Sequence, residues 1–452
     1  MNSKNLLAPL LLTASFVVGA ETPSLAELWT IVQTQQQQIK ALQGKLNTAQ
    51  TQLSAAETRL DATKNQIEET DAKVEATADA LEDGATNGTK STRSRWADRT
   101  QVGGYGELHY NNLDDDAVAA DGGRDDLNEV DFHRFIIYLS HQFNDRVRFF
   151  SELEVEHALV KDTQTGTASG GELELEQAWI EMDLTSKHRL RAGLDVLPIG
   201  ILNVTHEPNT FYGVERNPIE SEIIPSTWWE AGVGGIGELG HGFSYDLYVH
   251  SGLKMPTTGG GRFRPRDGRL KVAQASDQDA AFTGRLKYTG IPGLELATSM
   301  HYQPDYTGTA DRAEVEALLF ETHLDWKHSS GVGLRALFAR WDLEQDRTNG
   351  VLPDAVDADV LQGWYVEPAY RFMLPIASLG ETGIFARYNE WDERNRLVGN
   401  AFQFVRFQRV NLGLNYWPHP DVVFKFDVQW DSADAPTDRE LDGFNLGIGY
   451  RF

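Results

Sequence analysis

The chain has no cysteine among its 452 residues, which rules out a disulfide scaffold, a Cys-ligated zinc centre and a thiol nucleophile together. It also lacks any apolar run of the roughly 20 residues that a membrane-crossing helix needs. The longest apolar stretch, Leu6 to Val18, is broken by Pro9, Thr13 and Ser15. Basic charge is short as well: 41 Lys and Arg stand against 67 Asp and Glu, for a formal net charge of −26. An acidic excess of this size argues against a phosphate-backbone partner, so no nucleic acid is expected.

What is present falls into distinct parts. Lys4, the apolar stretch and the small-residue end Val18-Gly19-Ala20 read as a secretory signal peptide over residues 1–20. Between Leu25 and Leu81 there is no proline, and Gly44 is the one glycine. Apolar residues recur there every seventh position: Leu25, Val32, Ile39, Leu46, Leu53, Leu60, Ile67, Val74 and Leu81. That period predicts an α-helical coiled coil over 21–83, a rod about 85 Å long, and with it an oligomer. The alternative is a single amphipathic helix folded back on the rest of the chain. A linker rich in Gly, Thr, Ser and Asn follows over 84–98.

From 99 to 452 the pattern changes to period two, in about 16 segments. Leu190, Ala192, Leu194 and Val196 alternate with Arg189, Arg191 and Asp195; Phe424, Phe426, Val428 and Trp430 alternate with Lys425, Asp427 and Gln429. One face of each strand therefore meets a different medium from the other. A soluble sandwich alternates too, but three features favour an all-β, transmembrane antiparallel barrel of about 16 strands. Closely spaced charges share strand faces, as a watery lumen allows. Aromatics pair at segment ends, as in Trp228-Trp229, Trp364-Tyr365 and Tyr416-Trp417, where interface girdles are expected. Short connections at 142–145, 186–188, 290–293 and 418–421 alternate with long acidic ones. Mean hydropathy, −0.42, does not count against this, because alternating strands escape a sliding window. The last strand, Leu441 to Phe452, resembles the closing strand of a bacterial outer-membrane barrel, in which Phe452 is the mark read by the barrel-assembly machinery. An even strand number returns both ends of the barrel to one side, which places the coiled coil in the periplasm, where it either sets the register of the oligomer or reaches peptidoglycan.

Residues Val102-Gly103-Gly104-Tyr105-Gly106-Glu107-Leu108, Asp131-Phe132-His133-Arg134-Phe135, Glu152-Leu153-Glu154-Val155-Glu156-His157 and the long stretch from Thr205 to Pro218 resemble the phosphate-selective porin O/P family. The resemblance implies a homotrimer of 16-stranded barrels in the outer membrane, among its lipid and lipopolysaccharide, with inward-folded loops and a ladder of arginines guiding anions. It does not by itself fix phosphate as the solute.

Candidate residues follow from these patterns. Arg262, Arg264, Arg266, Arg269 and Lys271, with Arg285 and Lys287 on the next strand, form a basic run. In an extended segment alternate arginines would point the same way and offer several weak anion sites in sequence; the alternative is a loop pairing with lipopolysaccharide or nearby Asp. Arg148, Glu152, Glu154, Glu156, Arg189 and Arg191 form lumen charge rows, either favouring cations or pairing across strands. His206, Glu215 and Arg216 lie on a long connection after the fifth strand, which either narrows the channel or lies at a subunit interface. Asp114 to Asp116 and Asp121 to Asp126 match no EF-hand spacing, so no metal site and no cofactor is assigned. Gly232 to Gly237 precedes a strand, not a helix, and is no dinucleotide loop. His250-Ser251 points to opposite faces of a strand, and no catalytic constellation emerges. The expected activity is passive diffusion of small hydrophilic solutes, anions such as phosphate or polyphosphate first. A weakly selective or cation-preferring porin and a closed barrel serving as an envelope tether are the alternatives.

Overall fold

The structure, a computed structural model, describes residues 96–452 except 116–125, 159–170, 257–263, 274, 276–279, 309–314, 346–359, 376–378, 399–400 and 435–439. Before residue 96 it describes only Trp29, Gln33, Lys40 and Gln43, each helical. The signal peptide, the linker up to residue 95, Arg262 and otherwise the whole coiled coil lie outside the described residues. The chain divides into two units, 1–91 and 92–452.

The second unit is a closed barrel of 16 antiparallel strands in which each pairs with its neighbours in sequence and β1 pairs with β16. The first eight are β1 (Thr100–Asp115), β2 (Leu127–Gln142), β3 (Val147–Glu156), β4 (Leu173–Asp183), β5 (His188–Val196), β6 (Trp229–Gly240), β7 (Phe243–His250) and β8 (Ala281–Tyr288). The rest are β9 (Leu294–Gln303), β10 (Val315–Lys327), β11 (Val332–Gln345), β12 (Val360–Met373), β13 (Glu381–Val398), β14 (Ala401–His419), β15 (Val422–Ala433) and β16 (Leu441–Arg451). Short turns at one end alternate with connections at the other that are long except between β13 and β14. Alternation sorts the side chains: Leu247 and Val249 are exposed on the outer face, while Asp246, Tyr248 and His250 between and beside them are buried inside. The glycine run lies within β6.

The expected aromatic pairs do not all form girdles. Trp228, Tyr365 and Trp417 are buried inside the barrel. Adjacent residues of a strand face opposite ways, so the pairs at Trp364 and Tyr416 send only one member outward, whereas Trp228, just before β6, and Trp229 are both buried.

A second departure explains where those rings go. Along β10 to β12 the inner face is apolar too: Ala317, Leu319, Leu337, Trp341, Leu343 and Leu361 are all buried. They are covered by the 32-residue connection between β5 and β6, residues 197–228, which enters the lumen and contributes Ile199, Phe211, Ile219, Ile223 and Trp228 to a single apolar cluster with them. Each large side chain buried in this way stabilises the packing by roughly 1.5–3 kcal/mol. The connection spans the barrel from the long-loop end to the turns, where Asn209 Nδ2 donates to the carbonyl of Pro420 between β14 and β15. Arg335 and Arg387 donate to the carbonyls of Thr210 and Tyr212, and Tyr212 stacks on Phe385. Gly449 of β16 is required here, because a Cβ would lie 2.4 Å from Pro208.

Two polar residues hold the fold of the connection. The Asn203 side chain bonds the carbonyls of Leu197 and Trp228 and accepts from the Trp228 amide, joining the two ends. Glu220 closes a 3₁₀ turn, Pro218–Glu220, begun by Pro218 and capped by Asn217. Its carboxylate accepts from the Ile201 and Leu202 amides at 2.6 Å each and from Asn217 Nδ2 and Tyr365 Oη at 2.9 Å each. Buried bonds to a charged group are the strong kind. Glu220→Ala is expected to cost about 2–4 kcal/mol and to admit proteases between residues 200 and 225, read by denaturant unfolding and limited proteolysis. Leu247→Arg, on the outer face, is expected to cost about 2–4 kcal/mol when unfolding is measured from lipid vesicles, and much less in Phe243→Arg, on the same face at the end of β7.

Candidate solute path

Two charged cavities lie on the β1 to β8 side of the connection, the second also bordered by Arg409, Gln429 and Leu441 of β14 to β16. One, of about 890 Å³, reaches the turn end, where His241, Gly242 and Thr289 border it. The other, of about 540 Å³, lies toward the long loops among Arg134, Glu154, Glu174, Arg216, Arg269 and Lys271. Four Lys or Arg side chains and four carboxylates line the first, and six of each line the second.

The lumen charge rows are paired, but not in the expected way. Arg148, Arg189 and Arg191 do not bond Glu152, Glu154 or Glu156; all three converge on Glu181, at 2.6, 3.4 and 2.7 Å. Arg148 adds Asp183 and Arg191 adds Asp195. Register is the reason, since Arg148 stands opposite Glu181 and Glu181 opposite Arg191 across β3, β4 and β5. Glu181 was not singled out from the sequence, because only the register places it between two arginines. The three glutamates sit further toward the long loops. Glu152 accepts from Gln177, and Glu154 and Glu156 line the upper cavity.

The basic run is not a straight ladder. Pro265–Gly268 form a 3₁₀ turn, for which proline presets φ, so Arg264, Arg266 and Arg269 do not project as alternate residues of a strand. Most of the run is neutralised. Arg264 and Arg266 pair with Glu222 at 2.5 and 3.5 Å, and Lys271 with Glu172 at 2.5 Å and with Glu174. Arg285 pairs with Asp246 at 2.9 Å and Lys287 with Glu295 at 3.6 Å. Arg269 differs, donating to the carbonyls of Ser226 and Thr227.

His206, Glu215 and Arg216 all lie on the inward connection. Glu215 bonds His109 at 2.9 Å and Asn111 at 3.1 Å. Arg216 donates to Thr227 Oγ1 at 2.7 Å, so it meets Arg269 at the same residue. Among the described residues neither guanidinium has a carboxylate partner. Burial, with the nearby Arg134, pushes Arg216 down to about 10, and burial, with Arg266, pushes Arg269 below its ordinary value. Arg134 itself is a residue that sequence patterns missed as part of the site. It faces inward opposite Glu107, pairing with it at 2.5 Å just before a register shift between β1 and β2, and it donates to the carbonyl of His206 at 2.7 Å.

A family model described as phosphate-selective porin O and P matches residues 101–452. An uncharacterized protein of Aquifex aeolicus (strain VF5) is 30% identical over 368 residues, 78% of this chain and 79% of that protein. Among solved structures, an anion-selective porin from Comamonas acidovorans is similar with a TM-score of 0.49 at 11% identity, covering 78% of this chain and 99% of that one. The outer membrane channel DcaP of Acinetobacter baumannii is similar with a TM-score of 0.47 at 14% identity, covering 78% and 97%. The matched residues take in the barrel from its second residue to its last, and the chain belongs to the phosphate-selective porin O and P family, channel-forming barrels of the outer membrane.

Proposed function

We propose that the protein is a passive diffusion channel that admits small hydrophilic anions, phosphate or polyphosphate first, and works as a homotrimer. The observation that carries the anion reading is the pair Arg216 and Arg269. Both face a cavity of about 540 Å³, both are held by neutral oxygens of Ser226 and Thr227, and each offers a guanidinium fork suited to phosphate oxygens. Elsewhere the walls are balanced by carboxylates, which lowers the field without trapping an ion, as conduction needs. The trimer rests on the family resemblance and on the heptad pattern. Phe452, stacked on Phe135 and 61% exposed, is available to the barrel-assembly machinery.

A cation-preferring channel is the second reading, favoured by the buried Glu152, Glu154 and Glu176. The reversal potential of the purified protein in a planar bilayer under a KCl gradient, with and without phosphate, tests the first against the second. An anion-selective current blocked by phosphate is expected, with the block weakened about tenfold in Arg216→Gln/Arg269→Gln. A cation-selective current indifferent to phosphate would assign the path to the glutamates, and a silent barrel would favour the tether. Glu181→Gln, which strips Arg148 and Arg191 of a shared partner, is expected to raise the Cl⁻ to K⁺ permeability ratio about twofold at low salt and less at 1 M, where the field is screened.

A further inference from the structure

Between the two cavities stand three side chains from three elements: Glu152 of β3, Glu176 of β4 and His206 of the inward connection. They are 1%, 0% and 5% exposed. His206 Nε2 lies 3.4 Å from Glu152 Oε1 and 3.8 Å from Glu176 Oε2. The other ring nitrogen, Nδ1, is 3.1 Å from the carbonyl of Asn203. A carbonyl only accepts, so Nδ1 carries the proton, and in the neutral ring Nε2 presents a lone pair. That lone pair faces carboxylate oxygens. Among the described residues no hydrogen bond satisfies them: Glu152 Oε1, both Glu176 oxygens and His206 Nε2 are buried without a partner, and so is the hydroxyl of the neighbouring Tyr105. Arg134, the nearest guanidinium, is occupied by Glu107 and the His206 carbonyl. Buried acceptors aimed at one another without a cation are costly.

We propose that Glu152, Glu176 and His206 bind a divalent first-row transition metal of the zinc or manganese class. Ligand atoms about 2.1 Å from a tetrahedral metal lie roughly 3.4 Å apart; here His206 Nε2 is 3.4 Å from Glu152 Oε1 and 3.8 Å from Glu176 Oε2. One imidazole with two carboxylates is a donor set of intermediate hardness, and the Nδ1–H to carbonyl bond is the outer partner that a metal-bound histidine needs. The wall is shaped for it: the β3–β4 pairing passes from Glu152–Gln177 to Leu153–Leu175, and the skipped residue, Glu176, is turned inward by the bulge. Other clusters fit less well. Asp131 already bonds both His133 and His157 at the open mouth, and Glu174 is already paired with Lys271.

The ion would join the inward connection to the barrel wall and offset two carboxylates at the waist of the path. Binding stands on these side chains alone; any effect on current rests on the channel reading. The test uses the full-length protein in detergent, stripped with EDTA and titrated with zinc alone by calorimetry in competition with a chromophoric chelator. One zinc per chain is expected at micromolar affinity or tighter, weakened at least 100-fold in Glu176→Gln and His206→Ala and less than threefold in His157→Ala. Heat-dependent gel mobility shows which variants fold; should His206→Ala fail, the isosteric Glu152→Gln and Glu176→Gln carry the comparison. X-ray absorption is expected to show an imidazole and oxygen shell. No stoichiometric binding by folded wild-type protein, or affinity that follows His157 instead of His206, overturns the proposal. A silent barrel that still binds zinc at His206 overturns the channel reading and supports this site.

Discussion

Hydrocarbon offers no partner to a backbone N–H or C=O, so a strand crossing a membrane must find both neighbours within the protein, and the first strand must find the last. Here β1 meets β16 over Tyr105–Asp115 and Leu441–Arg451, and the carboxyl-terminal backbone continues the ladder through Gly104 and Phe452. Closure then imposes the remaining order. It removes every edge, turns alternate residues inward and outward, and encloses more space than the inward side chains fill.

That surplus space is what the connection after β5 occupies. It is held inside by matched chemistry on both partners. The barrel wall from β10 to β12 supplies an apolar inner face, and the connection supplies Ile219, Ile223 and Trp228 to cover it. Its amides at Ile201, Leu202 and Trp228 are satisfied by Glu220 and Asn203, and that of Glu220 in the 3₁₀ turn by Asn217. An uncovered apolar wall would be unfavourable in a watery lumen, and an uncapped loop would bury unpaired backbone groups. Each therefore requires the other. The same packing moves the path to the opposite wall, where the charged residues of β3, β4, β5 and β8 are.

The fold was legible because period two leaves a direct mark on the sequence: Arg189 and Arg191 against Leu190 and Ala192, or Lys425 and Asp427 against Phe424 and Phe426, require no knowledge of neighbours. The site was legible only in part. Arg148 and Glu181 are 33 residues apart in sequence, and their meeting depends on a register that alternation cannot give. Bulges hide from pattern reading too, since Glu176 and His133 are turned inward by one extra residue in a strand. Pro265 interrupts the basic run at the point where it bends. The apolar inner wall also left a trace, because Ala317-Leu318-Leu319-Phe320 is continuously apolar where a strand facing water on one side should alternate.

The formal charge of −26 is a poor guide to what the path admits. A solute meets the few groups that face the cavities, and there cations and carboxylates are equal in number. Balance of this kind gives the exceptions their weight. On the proposed reading Arg216 and Arg269, which have no carboxylate partner among the described residues, make the cavity toward the long loops attractive to an anion, and the buried Glu152 and Glu176 make the waist beside it repulsive. On that reading an anion entering from the long-loop end would meet attraction and then a barrier. A divalent ion on His206 and the two glutamates offsets that barrier at its source. Taken together, the two proposals make the anion path and the metal site one electrostatic arrangement, in which the guanidiniums would select and the state of the waist would decide whether what they select can pass.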